Sequence, residues 1–167
     1  VSKLAKKWNV IERKLITILE EKESQEAFAC LLMAETGIRI GNEDSANGYV
    51  TKIHNIAGEF IQTFGISTLQ KKHISFEDDK MVLEFLGKKA VSQRIEIDNP
   101  ILIKYGMLFF NNNECKIWLN ISDESCNRFV KKRINKRLSV KDFRTFCANA
   151  IAWKIYKEEI EKQDLPS

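Results

Sequence analysis

The sequence has few of the residues that interrupt regular structure. Its 167 residues include only 2 Pro and 7 Gly, while 44% are hydrophobic and 30% are charged, which excludes a disordered or low-complexity chain. That length is enough to bury one sizeable core and too short for two ordinary domains. We therefore expect a single domain over residues 1–167.

Metal-binding and membrane-spanning patterns are also missing. The four cysteines form no C-x-x-C pair, so the spacing predicts neither a zinc site nor a disulfide framework, and we expect no metal and no other cofactor. We expect all four to be reduced thiols in the core of an intracellular protein or of one carried in a virion. No apolar run approaches membrane-spanning length and no signal peptide is visible, so we expect no membrane partner. The four thiols are Cys30, Cys115, Cys126 and Cys147.

The charge is modest in total but uneven along the chain. A balance of 27 basic and 23 acidic residues, net +4, does not by itself indicate a nucleic-acid partner. Residues 131–144, however, hold seven basic side chains and the single acid Asp142. A local excess of this kind is typical of a surface that binds a phosphate backbone, although a solvated helix face gives the same pattern.

Hydrophobic periodicity predicts a mainly helical α+β domain with a small antiparallel sheet. Ser24 and Gly37 are the expected caps of the second helix, and Ser139 with Asp142 resembles a capping box that opens the last one. Predicted helices cover residues 3–22, 24–35, 101–110, 122–136 and 140–162. Predicted strands cover residues 66–69, 73–76, 81–86 and 91–97. Residues 44–64 are interpreted as a long loop that can hold a short helix.

Three cationic segments stand at the edges of these elements: residues 37–43, 85–89 and 140–146. The fixed fork of an arginine suits the non-bridging oxygens of a phosphodiester, and its charge persists at neutral pH. A lysine can instead give a proton to a departing alkoxide, and Lys88 in a strand turn is the natural candidate. Taken alone, each of these basic residues is equally well interpreted as a surface cation that is solvated or ion-paired. Together they indicate phosphoryl-transfer chemistry on nucleic acid.

Four stretches, in this order, resemble the catalytic domain of type IB DNA topoisomerases, particularly the small enzymes of poxviruses, giant viruses and bacteria. They are Thr36-Gly37-Ile38-Arg39-Ile40-Gly41-Asn42-Glu43, then residues 64–74, then Phe85-Leu86-Gly87-Lys88, and then Lys141-Asp142-Phe143-Arg144-Thr145-Phe146. The resemblance implies the fold shared by tyrosine recombinases and type IB topoisomerases. It also implies a monomer that relaxes duplex DNA through a 3′-phosphotyrosyl intermediate, without ATP or metal.

By that resemblance the site residues have distinct roles. Arg39 and Arg144 bind the scissile phosphate, and Lys88 is the general acid toward the departing 5′ oxygen. The expected DNA contacts around them are Lys141, Lys89 and Lys71. Lys141 would support the same phosphate from its helix.

The family's nucleophilic tyrosine and the histidine before it have no counterpart in the sequence. His54 and His73 both precede Arg144, and Tyr156 follows it too closely and lies within a helix, where packing is the expected role. Tyr49 and Tyr105 also lack the nucleophile context. We expect the catalytic histidine and tyrosine after Ser167 and the family's N-terminal clamp domain before Val1, so that residues 1–167 alone would be inactive.

Two alternatives stay open. Tyrosine recombinases use a similar Arg, Lys and Arg set, but they usually carry a histidine three residues before the second arginine, where this sequence has Lys141. A DNA-binding module that has lost its nucleophile would keep the cationic residues without catalysis. The residues encoded after Ser167 distinguish these cases, because a histidine followed closely by a tyrosine indicates the enzyme and a stop codon indicates the module.

Overall fold

Helices dominate both ends of the chain and a three-stranded sheet lies between them in sequence. The computed structural model describes residues 2–46, 62–112 and 114–163. The helices are α1 (Ser2–Lys22), α2 (Gln25–Thr36), α3 (Glu43–Ala46), α4 (Pro100–Asn112), α5 (Asp123–Phe129), which continues as a π-helical turn (Val130–Ile134), and α6 (Val140–Gln163). The strands are β1 (Ile74–Glu77), β2 (Lys80–Gly87) and β3 (Val91–Ile97), antiparallel in that order. The predicted α+β class is confirmed.

The helix ends follow the capping residues that the sequence shows. The Ser24 side chain accepts a hydrogen bond from the backbone N–H of Ala27 at 3.1 Å, which opens α2. Gly37 ends the same helix with a left-handed φ of 73°, a conformation that glycine adopts without a steric penalty. The Asp142 carboxylate accepts from the Ser139 N–H at 2.7 Å, which is one half of the predicted capping box. The other half is replaced, because the Ser139 hydroxyl donates to the same carboxylate at 3.3 Å and the Asp142 N–H donates to the Ser139 carbonyl oxygen.

One predicted strand is wrong. Residues 66–69 do not join the sheet, and Ile66–Thr68 forms a 3₁₀ turn instead. Its backbone N–H groups are used elsewhere, because Ile66 donates to Arg39 O at 2.9 Å and Ser67 donates to Ile40 O at 2.8 Å. Of the predicted loop over residues 44–64, residues 47–61 lie outside the described residues.

The core is aromatic and lies where α2 meets the other helices. Phe28 on α2 contacts Phe109 and Trp118 edge to face, and all three side chains are buried. On α6, the apolar spacing of Phe143, Phe146, Cys147 and Ala150 predicts one inward face; the first three are buried, but Ala150 is exposed, so that face is shorter than predicted. The helix continues past the core it packs on, and its residues from 148 onward are exposed.

Three of the four thiols are buried, as predicted, and Cys115 is exposed, which corrects the prediction for that residue. Burial, followed by the charges of Cys126 and Glu26, raises the pKa of Cys30 well above its ordinary value. Burial also raises the pKa of Cys126 to about 12. These thiols are therefore uncharged near neutral pH and pack as small apolar side chains. Within the described residues, no helix has the length and apolar character needed to cross a membrane.

Candidate phosphate-binding site

The backbone around Arg39, residues 39–41, is held in place by residues 65–67. Gly41 and Gly65 pack backbone to backbone, and a Cβ built on Gly65 would lie 2.6 Å from the carbonyl oxygen of Arg39. The Ser67 hydroxyl adds a hydrogen bond to Ile40 O at 2.7 Å. The Arg39 side chain itself is exposed and makes no hydrogen bond with the described residues. A rigid backbone thus carries a cation whose donors are all available.

Lys88 lies in the tight connection between β2 and β3. The pairing of Gly87 with Val91 closes this connection, and both Lys89 and Ala90 adopt left-handed backbone angles, with φ of 62° and 56°. Such angles cost an L residue roughly 1–2 kcal/mol, so the paired strands must hold the turn in place. The Lys88 ammonium group is exposed and has no ion-pair partner among the described residues.

Arg144 lies in the second turn of α6 and reaches the end of α2. Its Nε donates to the carbonyl oxygen of Gly37 at 2.8 Å, a contact between residues 107 positions apart. This bond orients the guanidinium and leaves its two terminal nitrogens available. Burial, and then the nearby charge of Arg39, lower the pKa of Arg144 from its ordinary value. An arginine stays protonated despite such a shift, so the two guanidinium groups repel each other until an anion lies between them.

Arg39, Lys88 and Arg144 line one concavity of about 340 Å³, which we name the cationic pocket. No Asp or Glu side chain of the described chain lines it, and Phe64 and Phe85 form apolar parts of its wall. Four cations without a carboxylate have the charge and the hydrogen-bond donors that suit a small, multiply oxygenated anion such as a phosphate group. The four cations are Arg39, Lys88, Lys89 and Arg144.

Two of the predicted DNA contacts lie elsewhere. Lys141 is exposed on the first turn of α6, three residues before Arg144, and it does not line the cationic pocket. The Lys71 ammonium group lies 5.0 Å from the centre of the Phe110 ring. Their proposed contacts with DNA stay predictions. The basic side chains of residues 131–133 are exposed on the π-helical turn and form no ion pair within the described residues.

No tyrosine or histidine of the described residues lines the cationic pocket. Tyr105 is buried in α4, and Tyr156 is exposed on α6, where its ring stacks on Trp153. The Nδ1 atom of His73 accepts a hydrogen bond from the Gln70 N–H at 3.0 Å, and its ring contacts Phe64. Tyr49 and His54 lie outside the described residues.

Sequence reasoning missed Gln93, which also lines the cationic pocket. It pairs with Phe85 in the β2–β3 register, and its side chain lies across Gly87, beside Lys88. The alternation of Val91, Gln93 and Ile95 along β3 could have revealed it, because every second residue of a strand shares a face.

We expect Gly65→Ala to destabilise the chain by about 1–3 kcal/mol, the usual cost of forcing extra atoms into a packed region. The added Cβ would collide with the Arg39 backbone, which cannot move without losing its hydrogen bonds. Gly37→Ala is the matched control, since a Cβ there would lie 3.5 Å from Cys147 Sγ and only the left-handed angle is penalised. Urea denaturation measures the free energy of unfolding of each variant, and a Gly65→Ala protein as stable as the wild type would contradict the proposed close approach.

The cationic pocket thus gathers four basic side chains in a mainly helical domain, and comparison with known proteins shows the family of the chain. The family model for the catalytic core of eukaryotic DNA topoisomerase I matches residues 1–165. The chain belongs to this family.

A relative from a giant virus matches as well. DNA topoisomerase 1B of Acanthamoeba polyphaga mimivirus is 26% identical over 103 residues, an alignment that covers 53% of this chain and 30% of the relative. The matched part is thus less than a third of the viral protein's length. The topoisomerase resemblance is confirmed at the level of the family.

Proposed function

We propose that this chain forms the phosphate-binding part of the active site of a type IB DNA topoisomerase. The observation that carries the proposal is the cationic pocket, where four cations from three separate parts of the chain meet and no carboxylate of the described residues competes for them. The family to which the chain belongs supports duplex DNA as the partner and isomerase as the enzyme class. We further propose that the protein acts as a monomer, without ATP or metal.

Each cation has a separate task in the proposed reaction. An attacked phosphodiester gains negative charge on its non-bridging oxygens, and Arg39 with the free terminal nitrogens of Arg144 would stabilise that charge. Burial, and then repulsion from Arg39, lower the pKa of Arg144 in the free protein, and binding the phosphate would relieve that repulsion. Lys88, held out on its strained turn, would give a proton to the 5′ oxygen as that oxygen leaves.

The attacking tyrosine is proposed to come from the chain after Ser167, together with the histidine that donates to a non-bridging oxygen. In support, the described tyrosines do not line the pocket, and Tyr156 lies twelve residues beyond Arg144 on α6, about 18 Å along the helix axis. The cations that lie outside the pocket would contact the DNA backbone on either side of the cleaved phosphate. These are Lys141, Lys71 and the basic residues 131–133.

The proposal predicts a covalent adduct that depends on the length of the protein. The full-length protein should relax negatively supercoiled plasmid in EDTA without ATP and should become linked to the 3′ phosphate of the cleaved strand. Residues 1–167 alone should bind duplex DNA but form no adduct, because the proposed nucleophile lies after Ser167. Gel analysis of end-labelled duplexes after denaturation tests both statements.

The outcomes separate the candidate functions. A linkage to the 5′ phosphate, or a requirement for Mg²⁺, would contradict the type IB mechanism. A full-length protein that binds duplexes and never forms an adduct would be a non-catalytic DNA-binding module. Exchange of strands between two duplexes, in place of relaxation, would identify a recombinase.

A further inference from the structure

The turn that ends α2, residues 36–38, connects the two arginines of the cationic pocket. Arg39 follows this turn directly, and the Nε of Arg144 donates to the carbonyl oxygen of Gly37 at 2.8 Å. Thr36 and Gly37 themselves line the pocket. The direction in which the Gly37 carbonyl points therefore affects where the Arg144 guanidinium lies.

The direction of that carbonyl depends on the peptide unit to which it belongs. A trans peptide is planar and its C=O and N–H point to opposite sides, so fixing the N–H of Ile38 also fixes the carbonyl of Gly37. The Ile38 N–H donates to the hydroxyl oxygen of Thr36 at 3.2 Å. One peptide unit thus carries the Thr36 hydrogen bond at its nitrogen and the Arg144 hydrogen bond at its oxygen.

The Thr36 hydroxyl is itself held by α2. It donates to the carbonyl oxygen of Leu32, one turn earlier on the helix, at 2.7 Å. Its single proton is used in this bond while its oxygen accepts from Ile38, so the hydroxyl has no donor left for a ligand. The left-handed φ of 73° at Gly37 and the bond from the Gly37 N–H to Met33 O at 2.8 Å complete the turn.

A threonine that bonds to the carbonyl four residues before it is ordinary in a helix. Thr17 on α1 forms such a bond with Arg13 O at 2.9 Å. Thr36 differs because its oxygen also accepts from a backbone N–H beyond the helix end. This second bond connects the Thr36 side chain to the peptide unit that orients Arg144.

We propose that Thr36 is a positioning residue that holds Arg144 in the orientation needed in the transition state. It acts through the Gly37–Ile38 peptide unit, without contacting the substrate. The inference rests on the proposed function, because it assumes that Arg144 stabilises an attacked phosphate. Such a donor is effective when it is oriented before the charge develops, so a loosened Gly37 carbonyl would lower the rate with the guanidinium still present.

Single-turnover cleavage by the full-length protein tests this role. Thr36→Val keeps the branched shape of the side chain and removes the hydroxyl, and it should slow cleavage about tenfold, the kinetic equivalent of one hydrogen bond. Thr36→Ser restores the hydroxyl and should cleave within about threefold of the wild-type rate. Thr17→Val is the matched control, because it removes the same type of helix bond outside the cationic pocket, and it should cleave at the wild-type rate.

A double-mutant cycle separates positioning from a general loss of stability and from a direct contact with DNA. In an Arg144→Ala background, Thr36→Val should change the rate by less than about twofold, because the group that Thr36 orients is gone. An equal loss in both backgrounds, or wild-type cleavage by Thr36→Val, would overturn this inference and leave the proposed function standing. A wild-type protein that forms no adduct would overturn the proposed function and this inference with it.

Discussion

Replacing Arg39 with alanine is expected to slow DNA cleavage by the full-length protein about a hundred- to a thousand-fold, the usual effect of removing one preorganised donor from a developing oxyanion. Arg144→Ala should cause a loss of similar size. Both side chains line the cationic pocket, and both would bind the phosphate more strongly in the transition state than before attack. Single-turnover cleavage of a duplex that contains one scissile site measures the rate directly.

The two arginine variants should differ in stability. Arg39 is exposed and makes no hydrogen bond with the described residues, so its loss should change the free energy of unfolding by less than about 0.5 kcal/mol. Arg144→Ala also removes the bond from Nε to Gly37 O and should cost about 1 kcal/mol. Arg13→Ala, exposed on α1 and outside the cationic pocket, is the matched control and should cleave at close to the wild-type rate. Unimpaired cleavage by the Arg39 variant would remove that residue from the mechanism.

Local rules predicted most of the helices and the hairpin, because those elements depend on near neighbours in sequence. Ser24, Gly37 and the Ser139–Asp142 pair act within one helical turn of their own positions. The strand predicted over residues 66–69 failed for a long-range reason. Its N–H groups bond to residues 39 and 40, more than twenty positions away, and no periodicity in residues 66–69 encodes that pairing.

Only part of the candidate site could be predicted, because local patterns show the single segments but not the contacts between distant residues. The three cationic segments are visible in the sequence, and the resemblance assigned their roles, but spacing alone cannot show that Arg144 bonds to Gly37 across 107 positions. Lys141 shares a helix with Arg144, yet it does not line the cationic pocket. Gln93 was missed because glutamine carries no charge, and its place in the pocket depends on the space above Gly87.

Lys88→Ala is expected to slow cleavage of ordinary DNA strongly, and the chemistry of the leaving group determines whether the cause is a lost proton or a lost charge. General acid catalysis typically contributes 10²–10⁴-fold, so we expect an effect of about that size. A duplex whose scissile 5′ oxygen is replaced by sulfur should restore cleavage by this variant to nearly the wild-type rate. A thiolate leaves without a proton, since the pKa of a thiol lies far below that of an alcohol.

The arginine variants are the control for this rescue. Arg39 and Arg144 would stabilise charge on the non-bridging oxygens, which the sulfur substitution leaves in place, so neither variant should gain rate on the modified duplex. Lys89→Ala provides a second comparison, because Lys89 lines the same pocket from the same turn and has no assigned proton transfer. If Lys88→Ala stays as slow on the sulfur duplex as on ordinary DNA, Lys88 is a phosphate-binding residue and the proton comes from another group. Rescue of Lys88→Ala alone would separate the two functions of the pocket, with charge stabilisation assigned to the arginines and proton donation to the lysine on the strained turn.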